Sequence, residues 1–262
     1  MNLLNAIILG LTEGVTEFLP ISSTAHLIVT SKLLNISQTE FQKFFEVFIQ
    51  SGAIIAIVIL YWKKILKNKN LSKKILVSFL PTALAGFILY KFIKDTLFQS
   101  YPIMLLVFFL VGLIFILLEF LIKKKFIILS KKIDSLSYKE AILIGLIQSL
   151  AIVPGVSRAG AVLVIMMLLR YKREDSVIYS FLLAVPTMFA ASFYDLYKSR
   201  NVFLGQSSNM LYLLVGSVVS AIVAYIVVKW FLKYISKHSL TIFGIYRFLL
   251  VIIMLVITLL KL

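Results

Sequence analysis

The sequence predicts an all-α, polytopic membrane protein built as an inverted-topology repeat, with six full transmembrane helices and two re-entrant helical hairpins. Three observations predict it. The 262 residues are 61% apolar and 15% charged, with a mean hydropathy of +1.03, whereas soluble domains are about 45–50% apolar. The apolar residues gather in blocks long enough to cross about 30 Å of hydrocarbon. The short runs between blocks alternate between lysine-rich and lysine-poor. Soluble enzyme classes fall away, because such a chain has too little polar surface to face water.

The elements follow in order. Residues 2–34 are apolar but broken at Pro20-Ile21-Ser22-Ser23-Thr24, and the flanking pieces are too short for two spans. They read as hairpin one. Spans follow at 44–62, 75–93 and 102–122. Residues 139–170 are broken at Pro154-Gly155-Val156-Ser157-Arg158 and read as hairpin two, followed by spans at 176–196, 210–230 and 240–260. Pro81 and Pro186 are expected to kink their spans, and Trp62 and Trp230 sit where interfacial anchors belong. The first apolar run has no preceding Lys or Arg and carries two glutamates, which argues against a cleaved signal peptide. No cysteine is present, so disulfides, thiol nucleophiles and Cys metal sites are excluded together.

Charge orients the chain. A formal +16 suggests nucleic acid in a soluble protein; here it reports topology, and no nucleic-acid partner is expected. Runs 63–74 and 123–139 hold six lysines each, and 170–175 and 229–239 hold three Lys or Arg each. Runs 36–43 and 94–101 hold one each, and 197–209 holds two. The poorer runs face outside if each hairpin enters and leaves by one face, so hairpin one dips in from outside and hairpin two from the cytoplasm.

The sequence also repeats. AIILGL at 6–11 recurs as AILIGL at 141–146, a shift of 135, so Glu13 meets Gln148. After a one-residue gap Pro20 meets Pro154, and Ser23 meets Ser157. A single integral-membrane domain, 1–262, thus divides into a first repeat, 1–122, and a second, 139–262, each a hairpin plus three spans. Three is odd, which inverts the second repeat and brings both broken helices to the midplane.

The chemistry-bearing residues lie at those breaks. Ser22, Ser23 and Thr24 in hairpin one and Gly155, Ser157 and Arg158 in hairpin two stand where half-helices begin. Open N–H groups and the positive dipole end suit an anion, and two such ends with Arg158 suit a diphosphate. Glu13 and Glu17 are four apart on one helical face, where a divalent cation, Arg158 or a bound proton would compensate them. His26 is three residues after Ser23, on the same face, and suits the role of its base. Glu46, Gln50 and Arg247 either line the same cavity or hydrogen-bond between helices. Glu119 is expected to snorkel toward Lys123, and His238 to be interfacial.

The run Glu13-Gly14-Val15-Thr16-Glu17-Phe18-Leu19-Pro20-Ile21-Ser22-Ser23-Thr24-Ala25-His26 closely resembles the first signature of the bacterial undecaprenyl-diphosphate phosphatase family, the bacitracin-resistance type. Pro154-Gly155-Val156-Ser157-Arg158 resembles the second, and similarity continues through Phe45–Ala53, Ser180–Pro186 and Phe243–Arg247. The resemblance implies a multi-pass hydrolase of the bacterial cytoplasmic membrane that converts undecaprenyl diphosphate to undecaprenyl phosphate and inorganic phosphate, recycling the carrier lipid for cell-wall synthesis and conferring bacitracin resistance. It implies an active site toward the outer face and magnesium or calcium as cofactor. It implies Glu13, Glu17, Ser23, His26 and Arg158 as catalytic positions, Glu13 and Glu17 also holding the metal. Ser22, Thr24, Gly155 and Ser157 are expected to bind substrate. A monomer and a homodimer both remain open.

The second signature departs from the family's Ser-Arg-Ser-Gly-x-Thr, since Ala159 and Val162 replace two hydroxyl residues. The competing class is a secondary transporter or polyprenyl-phosphate flippase, which uses the same architecture; the Glu, Ser, His and Arg constellation favours the hydrolase. No Arg-Pro pair occurs, which excludes the other large lipid-phosphatase superfamily.

Overall fold

The computed structural model describes residues 1–92, 101–198 and 207–259, with side chains described over 1–89, 101–198 and 209–256. Most of the predicted outer runs 94–101 and 197–209 lies outside these residues. Ten α-helices run through the described residues: α1 Leu3–Thr16, α2 Ser23–Leu33, α3 Glu40–Lys67, α4 Lys69–Phe92, α5 Tyr101–Lys123, α6 Tyr138–Ser149, α7 Arg158–Leu168, α8 Arg173–Lys198, α9 Ser207–Ile235 and α10 Thr241–Leu259. Five of them, α3, α4, α5, α8 and α9, are long and apolar enough to cross a membrane, and the chain is a multi-pass membrane protein.

Span 75–93 ends one residue past α4 and span 240–260 matches α10 to within one residue at each end, while spans 44–62, 102–122, 176–196 and 210–230 lie within helices that outrun them. The caps explain the excess. Thr39 Oγ1 accepts the Gln42 N–H at 3.2 Å and starts α3 four residues before the apolar run. Ser137 and Glu140 form a reciprocal capping box that starts α6. Pro81 and Pro186 lie inside α4 and α8. Trp62 and Trp230 are half-exposed at the lysine-rich ends of α3 and α9, as interfacial anchors are.

The two halves interleave. Helix α1 packs on α9, and α6 packs on α4. Helix α3 packs against both α8 and α9, and α5 pairs with α10. Small residues permit these approaches. A Cβ on Gly10 would stand 2.6 Å from the Gly216 carbonyl oxygen, and one on Gly145 only 2.1 Å from that of Ser78. The main apolar core gathers Phe18, Phe115, Phe181, Phe231 and their neighbours directly beneath the break in hairpin one.

One expectation is corrected outside the site. Glu119 does not reach out toward Lys123; both its oxygens take the Arg173 guanidinium, with Nη2 at 2.5 Å from Oε2, and Oε1 also accepts the Leu240 N–H at 2.8 Å. Leu240 precedes α10, so a buried carboxylate ties α5 to the starts of α8 and α10. An inward fork of charged hydrogen bonds outcompetes a solvated lysine one turn away.

Candidate active site

Both breaks have the same backbone form. Ser22 precedes α2 with φ 68° and ψ 93°, and Ser157 precedes α7 with φ 69° and ψ 114°. Positive φ at a residue with a side chain is strained and persists only where the surroundings over-determine it. The shared geometry pairs Ser22 with Ser157, so Arg158, not Ser157, is the counterpart of Ser23. No one-residue gap is needed, and the shift of 135 runs through the break. Gly155 has φ 97°, and a Cβ there would meet the Met104 carbonyl oxygen at 2.7 Å, so glycine is required twice over.

The half-helix ends differ in capping. Ser157 Oγ accepts the Gly160 N–H at 3.2 Å. Ser22 makes no side-chain cap, so the first N–H groups of α2 stay open. Thr24 is half-buried in the first turn of α2.

Glu17 is the centre of the cluster. It is 8% exposed; its Oε1 accepts Arg158 Nη2 at 3.1 Å, and its Oε2 accepts the Ser23 hydroxyl. A carboxylate from α1's end thereby joins the first residues of α2 and α7. Arg158 also donates from Nη1 to the Ser180 carbonyl of α8 at 2.9 Å, lies over the Phe18 ring, and keeps a buried Nε without a partner. Glu13, one turn before Glu17 and within electrostatic reach of Glu17, Glu46 and Arg158, is fully buried, and neither of its oxygens accepts from an N–H or alcohol group, its only close polar neighbour among the described residues being the Glu17 carboxyl. A buried carboxylate with no such donor at either oxygen is an open ligand for a cation.

His26 is placed differently from expectation. Its Nδ1 donates to the Ser22 carbonyl at 2.8 Å, and its Nε2 lies 2.6 Å from the Tyr246 hydroxyl, with the two rings stacked 9° from parallel. Both nitrogens are thus engaged away from Ser23, whose hydroxyl goes to Glu17. Spacing put His26 and Ser23 on one face; the turn at Ser22 brings Glu17 closer. His26 and Tyr246 border an open groove of about 630 Å³ between α1, α2, α9 and α10, walled by Leu11, Val15, Ile242 and Phe243 and reaching Trp230.

The residue that sequence reasoning placed most loosely is Arg247. It is completely buried. Its Nε donates to the Pro20 carbonyl at 3.0 Å, Nη1 to Gly155 at 2.8 Å and Nη2 to Val156 at 3.3 Å, and its guanidinium lies over Phe108. An arginine inside an apolar span was the available signal, but only the fold shows that it reaches both breaks. Glu46, by contrast, accepts from Ser31 and Gln42, each at 2.8 Å, between α2 and α3, and His238 stacks on Tyr234 at the lysine-rich end of α9.

Ala159 and Val162 are both buried. Val162 packs into the apolar cluster of α4, α6 and α8 with Ile75, Ile144 and Leu183.

The sequence profile described as bacitracin resistance protein BacA matches residues 6–253. A protein of Sulfurihydrogenibium named undecaprenyl-diphosphatase is 52% identical over 255 residues, covering 95% of this chain and 97% of its own length. Proteins of the same name from Campylobacter hominis and Aquifex aeolicus are 45% and 44% identical, covering 95% and 93% of this chain and 96% and 94% of their own. Since the match runs through both breaks and all ten helices, the chain belongs to the BacA bacitracin resistance protein family.

Proposed function

We propose that this protein is an integral-membrane undecaprenyl-diphosphatase, which hydrolyses undecaprenyl diphosphate to undecaprenyl phosphate and inorganic phosphate and so confers bacitracin resistance. The observation that carries the site assignment is the convergence of Ser23, Glu17 and Arg158 from opposite halves of the chain onto two facing half-helix ends. The polyprenyl tail lies in the apolar groove beside His26, and the diphosphate sits between the starts of α2 and α7. The site opens to the outer face of the cytoplasmic membrane, as loop charge orients hairpin one. Six spans, with α10 as the sixth, and two re-entrant hairpins in inverted repeats 1–122 and 139–262 complete the topology. The reciprocal packing of α1 on α9 and α6 on α4 supports that reading.

In the reaction, Ser23 Oγ attacks the distal phosphorus while its proton passes to Glu17, the carboxylate its hydroxyl already addresses. The bond from that phosphorus to the bridging oxygen breaks, and undecaprenyl phosphate leaves. Water then hydrolyses the phosphoserine and releases phosphate. Arg158, the open N–H groups of α2, Ser157 and the backbone at Gly155 stabilise charge on the transferring group. His26 fixes the Ser22 turn through its carbonyl. Ser22 and Thr24 line the phosphate side.

Magnesium or calcium fits Glu13 and Glu17, because Glu13 offers two buried oxygens that accept from no N–H or alcohol group. No group of three or more His, Cys, Asp or Glu is found among the described residues, and magnesium characteristically takes one or two carboxylates with substrate phosphates. The ion supplies neutralisation of phosphate charge.

Phosphate release from undecaprenyl diphosphate by the purified protein in detergent, with each metal and with chelator, tests the proposal. A transporter or flippase releases none, because it breaks no phosphoanhydride bond. Turnover abolished by Glu17→Ala and by Arg158→Ala places both hairpins in one site; no release by well-folded wild type refutes the reading.

A further inference from the structure

Re-entrant loops leave backbone carbonyls at membrane depth with no helix to satisfy them. In this protein the carbonyls of Pro20, Gly155 and Val156 stand in that position, one or two residues before the strained turns at Ser22 and Ser157. One side chain satisfies all three. Arg247, from α10, belongs to neither hairpin, forms no ion pair among the described residues, and is held between the rings of Phe108 and Phe115 at 4.4 and 5.3 Å. Its planar fork projects donors in fixed directions, which a lysine ammonium does not.

We infer that Arg247 is a positioning residue for catalysis: by clamping both breaks at once it fixes the spacing of the two half-helix N-termini that enclose the diphosphate. It touches no substrate, being buried beneath the turns. The inference rests on the phosphatase reading, and its consequence is specific. Substrate affinity comes from the polyprenyl tail and the open N–H groups, which survive when the clamp is loosened. Alignment of Ser23 and Arg158 on one phosphorus does not.

The test is steady-state phosphate release by wild type and Arg247→Lys in detergent. Lysine keeps the charge but cannot reach Pro20 and Gly155 together. A misalignment on the scale of 1 Å lowers turnover about 100-fold, so kcat should fall by about that factor with KM within about threefold of wild type. Turnover within threefold of wild type overturns the inference. So does a rise in KM at unchanged kcat, which puts Arg247 on the substrate, and so does a loss that merely tracks the folded fraction. Failure of the wild type to release phosphate refutes the phosphatase reading instead. If Arg247→Lys does not fold, the cysteine-free chain permits a second measurement. Nitroxides on Cys introduced at the exposed positions Leu33 and Leu168, at the far ends of α2 and α7, should give one narrow distance with Arg247 intact. A broad or two-peaked distribution overturns the clamp.

Discussion

Replacing Glu17 by glutamine, Arg158 by glutamine, and both together tests the centre of the site. The two side chains are 7% and 10% exposed and 3.1 Å apart. At an effective dielectric of about 20, unit charges at that separation attract by roughly 5 kcal/mol, most of it offset by the desolvation of both ions. Removing one partner leaves the other charged and buried, which destabilises by about 3–5 kcal/mol. Each single variant should therefore lower the unfolding midpoint by roughly 10 °C, at about 2–4 °C per kcal/mol for a chain of this size. The double variant has no stranded charge, and its midpoint should lie above both singles. Activity should behave otherwise. Both singles should lose at least about 1,000-fold in kcat/KM, and the double no more than the worse single, because base and phosphate donor act as a unit. Scanning fluorimetry and phosphate release in one detergent supply both readings. Midpoint losses that simply add, or a Glu17→Gln protein within tenfold of wild-type turnover, would refute the reasoning.

Other outcomes follow from the same geometry. Ser23→Ala should abolish turnover while leaving Glu17 paired to Arg158, and labelled substrate quenched in acid should leave phosphoserine at Ser23; near-normal turnover by the variant excludes the covalent step. Val162→Thr should not raise activity, since the hydroxyl enters an apolar cluster, and an increase in kcat would show that the phosphate cradle extends that far. Gly145→Ala should disrupt the α4–α6 contact, where a Cβ meets the Ser78 carbonyl at 2.1 Å, and wild-type thermal stability would contradict that packing. At the start of α6, burial pushes the Glu140 carboxyl up, but hydrogen bonds from Lys131, Ser137 and Tyr171 more than offset it and hold it at about 2, against 4.5 ordinarily. Its contribution is present in full above about pH 4.5 and lost as pH falls toward 2, so the midpoint difference between wild type and Glu140→Gln should shrink over that range; a constant difference rules the ionised cap out.

The long apolar helices, and the gathering of Ser23 and Arg158 around Glu17, were legible because each leaves a one-dimensional trace: apolar length, a Pro-Ser break, a carboxylate inside an apolar run. What was not legible depends on local backbone turns and on long-range contact. The left-handed turn at Ser22 gives the Ser23 hydroxyl to Glu17, which helical spacing had assigned to His26. Tyr246 meets His26 across 220 residues, and Arg247 meets Pro20 across 227. Adjacent residues of α10 thus serve two different elements, and no periodicity reports that. Glu119 was misplaced for the same reason, its partners lying 54 and 121 residues away.

On the proposed reading, the repeat also explains why two similar breaks make one site. On the shift of 135, Glu13 corresponds to Gln148, Glu17 to Ile152 and Ser23 to Arg158. Gln148 is neutral, and its amide is spent on Thr82 and Thr187 at 2.8 and 3.2 Å. The first half therefore supplies carboxylates and a hydroxyl, and the second supplies a cation at the matching turn. A symmetric pair of helix ends attracts a diphosphate without telling its two phosphorus atoms apart. The asymmetry of Ser23 against Arg158 does so: attack comes from the first half, and charge is drawn toward the second. Exchanging the two residues, Ser23→Arg with Arg158→Ser, keeps the composition of the site and reverses its polarity. Phosphate release should vanish, since Glu17 would then face a guanidinium where the nucleophile had been. Retained turnover by the exchanged protein would show that the helix ends alone carry the chemistry.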